Sequence, residues 1–154
     1  MKKILKLTAM LLILAACNHS DDNFCTKLSE QGNIDYSSLL GDWQCQSFAY
    51  CSNSIDNAVN HVAILKGHIS ITDINNIWLY HTNEIHYDCI LGKPNSMHLT
   101  LKGSTYINPT QEEIDITQAL DSAVCYVIIG DKLFIHFNGF SNKNILIFTK
   151  YESN

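Results

Sequence analysis

The side chains that most invite chemistry in this chain are its scattered histidines, among them His61, His68, His81, His86, His98 and His136. His86 and Asp88 share one strand face by their spacing of two, and His98 falls opposite them on the next predicted strand. Three such ligands on one face suit zinc. The alternation His98-Thr100-Lys102 reads equally as a solvent face, so the histidines are taken as structural and no metal or cofactor is expected. Glu112, Glu113 and Asp115 form a second cluster. A glycosidase would need two carboxyls about 5 to 9.5 Å apart across a cleft, whereas adjacent acids on a polar turn read as solvated. The sequence contains no G-x-S-x-G, S-x-x-K, H-E-x-x-H, P-loop or G-x-G-x-x-G. No catalytic residue is assigned, and the expectation is a protein that is not an enzyme.

Aromatic residues offer a binding surface instead. Trp78 and Tyr80 fall on one face of a predicted strand, and with Phe137 they are the candidate contacts for an apolar ligand; the plainer reading places such rings in a core. The chain has 154 residues, with 10 basic and 15 acidic side chains, and every basic one is a lysine. An acidic chain without arginine is poorly suited to nucleic acid or phosphate, where guanidinium contacts are the usual device.

The elements that must position these residues are strands. The pattern predicts a helical turn at Asp35 to Leu40, capped by Asp35 and stopped by Gly41. Strands follow over Trp43 to Tyr50, His61 to Lys66, His68 to Asp73, Ile77 to Thr82, Ile85 to Leu91 and Met97 to Lys102. Glu113 to Leu120 is read as a further strand, with Gln118 to Asp121 ambiguous toward helix. Ala123 to Ile129 and Lys132 to Asn138 flank Gly130-Asp131, a two-residue hairpin loop, and Asn144 to Tyr151 closes the chain. Eight or nine short strands at close spacing favour an all-β barrel or sandwich. Tyr126 to Ile129 and Ile145 to Phe148 are apolar on both faces, which requires a core on one side and a cover on the other.

The N-terminus carries a different message. Lys2, Lys3 and Lys6 precede a short apolar run ending Leu14-Ala15-Ala16-Cys17, too short for a convincing membrane span, which needs about 20 residues. The segment resembles a bacterial lipoprotein signal peptide with its lipobox. That resemblance implies removal of residues 1–16, acylation of Cys17, and stable anchoring by several acyl chains. Asn18 in place of an aspartate leans toward the outer membrane, and Ser20-Asp21-Asp22 resembles a surface-export signal of Bacteroidota. Residues 17–34 are then an acylated cysteine with a polar tether, and residues 35–154 the folded domain. All acidic residues but only seven lysines lie beyond residue 16, so the mature balance is 7 − 15 = −8.

Five cysteines remain after Cys17: Cys25, Cys45, Cys51, Cys89 and Cys125. An exported chain keeps disulfides, and an odd number leaves at least one thiol over. Cys45 and Cys51 pair only if the chain reverses between them. Cys89 and Cys125 each sit mid-strand, and a bridge between them is the candidate pairing.

Gly41-Asp42-Trp43 opening the first strand, the hairpin at Gly130-Asp131 and the last strand Leu146 to Tyr151 resemble the lipocalin-like barrels of small Bacteroidota lipoproteins. The resemblance implies an antiparallel up-and-down barrel of about eight strands, preceded by a short helical turn. It also implies a structural closure in which Lys150, standing where lipocalins use arginine, covers Trp43 by cation–π contact. The expected function is noncatalytic binding of a small apolar or amphipathic ligand within the barrel of a monomeric outer-membrane lipoprotein facing the periplasm or the cell surface. The alternative is an envelope protein-interaction or inhibitor module with a solid core, working through a loop such as Asn53 to Asn60.

Overall fold

The computed structural model describes residues 20–50, 59–61, 65–105, 107–140 and 143–151. Cys17, Cys51 and residues 53–58 of the predicted interaction loop lie outside them. The elements run α1 (Ser20–Ser29), α2 (Tyr36–Leu39), β1 (Gly41–Tyr50), β2 (Val59–His61), β3 (His68–Asp73), β4 (Asn76–Tyr80), β5 (Glu84–Gly92), β6 (Ser96–Ser104), α3 (Gln111–Asp121), β7 (Ala123–Ile129), β8 (Lys132–Phe140) and β9 (Lys143–Tyr151).

Antiparallel neighbours follow chain order from β3 to β9, and β1 pairs with both β3 and β9, closing eight strands into a ring. Closure gives every strand of the ring a neighbour on both sides, with the sparsest pairing between β6 and β7. β2 sits outside the ring, against the upper end of β1 (Phe48↔His61). It therefore precedes the strand predicted at His61 to Lys66; Leu65 instead tucks its amide against Gln46 O at 3.0 Å. Strand alternation sends Ile69, Ile77, Leu79, Tyr87, Leu133, Phe137 and Phe148 inward, where each is fully buried.

The closed end is built from Leu39, Trp43 and Lys150. Asp35 caps α2 through the Ser37 amide. Trp43 is 1% exposed and donates its indole N–H to Leu39 O at 2.7 Å. Lys150, the register partner of Trp43, holds Nζ 4.6 Å from the ring centroid and donates to Leu40 O at 2.7 Å.

Two sequence expectations fail, one near the N-terminus and one before β7. Residues 20–29, read as tether, form α1 and dock on the outer face of β7, β8 and β9. Phe24, Cys25 and Leu28 share one side of the helix, and Leu28 is 1% exposed against a cluster containing Val127, Phe134, Ile145 and Ile147. This helix is the cover that the double-faced strands require, so the folded unit includes residues assigned to the tether. Asn33 extends the docking by exchanging backbone bonds with Ile128 at 2.7 and 2.8 Å. The second failure is Glu113 to Leu120, which is helical. Thr110 caps α3 by accepting from the Glu113 amide, and Glu113, Ile116, Ala119 and Leu120 form its buried face.

The disulfide expectation fails with them. Cys125 bonds to Cys25, 100 residues away, pinning α1 to β7. Cys89 points into the barrel and remains a free, buried thiol, as does Cys45. Cys89 and Cys125 lie on opposite faces of the sheet, so they cannot meet.

Candidate functional site

The ring is weakest between β6 and β7. Their register is limited to Ser96↔Cys125, reinforced by Tyr126 N–H to Asn95 O (3.1 Å) and Asn95 Nδ2 to Tyr126 O (2.7 Å). Beyond that pairing β6 runs on past the start of β7, and α3, which directly precedes β7, packs beside β6. Its buried face belongs to the same apolar core as the barrel interior.

Three connections tie the start of α3 in place. Asn83, only 4% exposed, donates its backbone N–H and Nδ2 to Glu113 Oε1 at 3.2 and 2.8 Å. The same side chain brackets Ile107, donating to its carbonyl at 2.9 Å and accepting from its amide at 2.7 Å. Glu112 Oε1 accepts from the Lys66 amide at 2.6 Å and lies 2.9 Å from His81 Nε2. Burial pushes the Glu112 carboxyl up, but bonds from His81 and Lys66 outweigh it and hold the group below its ordinary value. Asp121, at the other end of the helix, is raised by burial.

Beside this junction lies a cleft of about 140 Å³, lined by Asn83, Ile85, Leu101, Ser104, Pro109, Glu113, Ile114, Thr117 and Gln118. Leu101 has the inward parity of Met97 and Leu99, yet it is 47% exposed because β7 begins only at Ala123 and does not reach its level. Glu113 is 1% exposed, and its Oε2 has no hydrogen-bond partner. The cleft therefore combines apolar walls with a buried carboxylate, a concave site with few polar groups.

The residues singled out from the sequence are dispersed. Trp78 and Tyr80 stand on the outer wall, where Trp78 stacks on His86 at 4.2 Å and Tyr80 on His68 at 4.9 Å. Their strand neighbours Ile77 and Leu79 take the inward positions. Phe137 is inside the barrel, edge-on to Phe48 at 5.9 Å. Trp78 and Tyr80 share the expected face, with ring centroids 6.4 Å apart, but strand parity separates them from Phe137, so the three form no common pocket. His86 bonds to Asn76 Oδ1 at 3.0 Å, Asp88 pairs with Lys102 at 2.6 Å, and His98 is exposed. Among the described residues the one grouping with metal-like spacing is Cys25, Cys125 and His136, and its two sulfurs are bonded to each other. Burial raises the Cys45 thiol, and pushes Cys89 up to about 12, leaving neither as a nucleophile near neutral pH.

The fold has a solved counterpart. The crystal structure of a DUF4847 family protein from Bacteroides vulgatus superimposes with a TM-score of 0.62 at 14% identity, over 78% of this chain and 100% of that one. The likeness is one of fold. No family model and no curated protein matches the chain.

The signal for the cleft was present in the sequence but was assigned to another element. Thr110-Gln111-Glu112-Glu113 has the T-x-x-E form of a capping box, and Ile116, Ala119 and Leu120 follow at helical spacing. Thr110 does cap the helix. The Glu113 carboxylate, however, accepts from Asn83 and Oε2 is left over.

Proposed function

We propose that this protein is an acylated outer-membrane lipoprotein, anchored through Cys17, that binds a small amphipathic molecule without catalysis. The binding place is the cleft between α3 and the β5–β6 wall, and the barrel interior serves as its packed scaffold. One observation carries this reading: an apolar cleft of about 140 Å³ that contains a buried carboxylate with an unused oxygen. A dry apolar cavity of about 150 Å³ is large enough for benzene, so the occupant is compact, or is the small end of a longer molecule. The lipobox resemblance at Leu14-Ala15-Ala16-Cys17 supports the anchor.

Native mass spectrometry of the protein, recovered gently from its own envelope with Cys17→Ala, tests the reading. A reproducible added mass that vanishes on denaturation, and is absent in a Leu101→Trp variant that fills the cleft, is the expected result. A clean protein mass, unchanged after incubation with envelope lipid extract, would overturn it. That outcome would favour the protein-interaction reading, to which the filled interior also lends itself: Trp43, Tyr87, Tyr126, Phe137 and Phe148 are all fully buried.

A further inference from the structure

We propose that the cleft beside α3 selects a primary ammonium group, so that the ligand is a compact apolar amine. The proposal rests on the reading of this cleft as a binding site and adds the chemistry of its occupant.

The argument starts from Glu113 Oε2. His81 Nδ1 lies 3.5 Å from it. That nitrogen accepts the Thr82 N–H at 2.8 Å, while Nε2 faces Glu112 at 2.9 Å. At 3.5 Å, with the Thr82 amide directed at Nδ1, the ring is a neighbour of Glu113 Oε2 without making a hydrogen bond to it. Asn83 spends both of its donors near the carboxylate on Oε1, and none reaches Oε2. A buried carboxylate oxygen without a donor is costly, and in native proteins such an atom calls for a missing partner.

An ammonium brings donors for Glu113 Oε2; a carboxylate or phosphate ligand brings none. Charge points the same way. No lysine lines the cleft, and α3 carries Glu112, Glu113, Asp115 and Asp121 with no basic residue. Such a field attracts cations and repels anions. Ile85, Leu101, Pro109 and Ile114 supply the apolar walls for the rest of the molecule.

The test uses the intact acylated protein in phosphatidylcholine nanodiscs, with empty discs as the blank. Binding of benzylamine, toluene and benzoate is measured by calorimetry or ligand-observed NMR. The expected order is benzylamine at least tenfold tighter than toluene, with benzoate weakest. Glu113→Gln is expected to remove the advantage of benzylamine while leaving toluene binding in place. If that variant does not fold, the wild-type ranking decides alone. Equal binding of benzylamine and toluene, or benzoate as the tightest of the three, overturns the ammonium assignment but keeps the cleft as a binding site. No binding of any probe, or binding that survives Leu101→Trp unchanged, overturns the site itself and this inference with it.

Discussion

Removing the Cys25–Cys125 bridge by Cys25→Ala with Cys125→Ala tests whether α1 is part of the folded unit or an appendage. The bridge spans 100 residues. In the chain-entropy picture a loop of that length removes about 4.7 kcal/mol worth of freedom from the unfolded chain at 25 °C, and native bridges typically deliver about 2–5 kcal/mol. The local consequence is larger than the loss of one bond. α1 has 10 residues and a polar sequence, SDDNFCTKLS, too short to persist alone in water. Once released, it uncovers the outer apolar row of Val127, Phe134, Ile145 and Ile147. The expected loss is about 3–5 kcal/mol in a urea melt followed by tryptophan fluorescence. At roughly 4 °C per kcal/mol for a domain of this size, the thermal midpoint falls by roughly 12–20 °C. Hydrogen exchange should show the α1 amides unprotected and β7 weakened. A loss below about 1 kcal/mol with α1 amides still protected would refute the reasoning, since packing alone would then hold the helix.

Three further outcomes are expected. Trp43→Ala removes a side chain that is 1% exposed, and should cost about 3–5 kcal/mol in the same melt; a near-neutral effect would undo its place in the closed end. Glu112 has a folded pKa below its unfolded value, so its contribution is present above the unfolded value and is lost as pH falls through the folded one. Glu112→Gln should therefore flatten the acid limb of the stability profile and leave a smaller difference from wild type at low pH; parallel profiles would contradict the sign. Cys17→Ala should move the protein from the membrane fraction to the soluble one and abolish labelling by a palmitate analogue, and retention of both would sink the lipobox argument.

The barrel was legible because most strands announce themselves locally. Ala123 to Ile129 was read with its observed bounds, since a run of β-formers next to Gly130-Asp131 needs no distant information, and Gly130 adopts the positive φ that such a turn favours. The Trp43–Lys150 contact follows from the lipocalin-like resemblance, in which a late-strand basic residue covers the opening tryptophan, and the pairing of β1 with β9 provides it. The two misread helices have a common cause. Each is amphipathic with a narrow apolar stripe: Phe24, Cys25 and Leu28 in α1, and Ile116, Ala119 and Leu120 in α3. The many acids and amides around those stripes made one helix look like linker and the other like a polar strand. The demand for a cover over Tyr126 to Ile129 was visible in the strand itself. Only the identity of the cover, 100 residues earlier in the chain, was hidden.

The candidate site was less legible for a physical reason that also explains why it is a site. Glu113 in isolation is one acid among three in five residues, and solvation is the sound expectation for it. What changes its character is Asn83, 30 residues upstream, at the end of a hairpin that offers no motif of its own. Asn83 draws one carboxylate oxygen inward, and Ile116, Ala119 and Leu120 draw in the helix that carries it. The second oxygen is buried as a by-product of that packing, with His81 a neighbour that makes no hydrogen bond to it. Capping-box geometry would have used the side chain locally, on the backbone of Thr110, and left nothing for a ligand. The Asn83 contact instead draws the side chain toward the turn between β4 and β5, beside the cleft that Asn83 and Glu113 both line. A carboxylate that had only to stabilise α3 had a nearer partner available in Thr110, so its place in the cleft lining with one oxygen unpaired is the strongest structural reason to look for a ligand there.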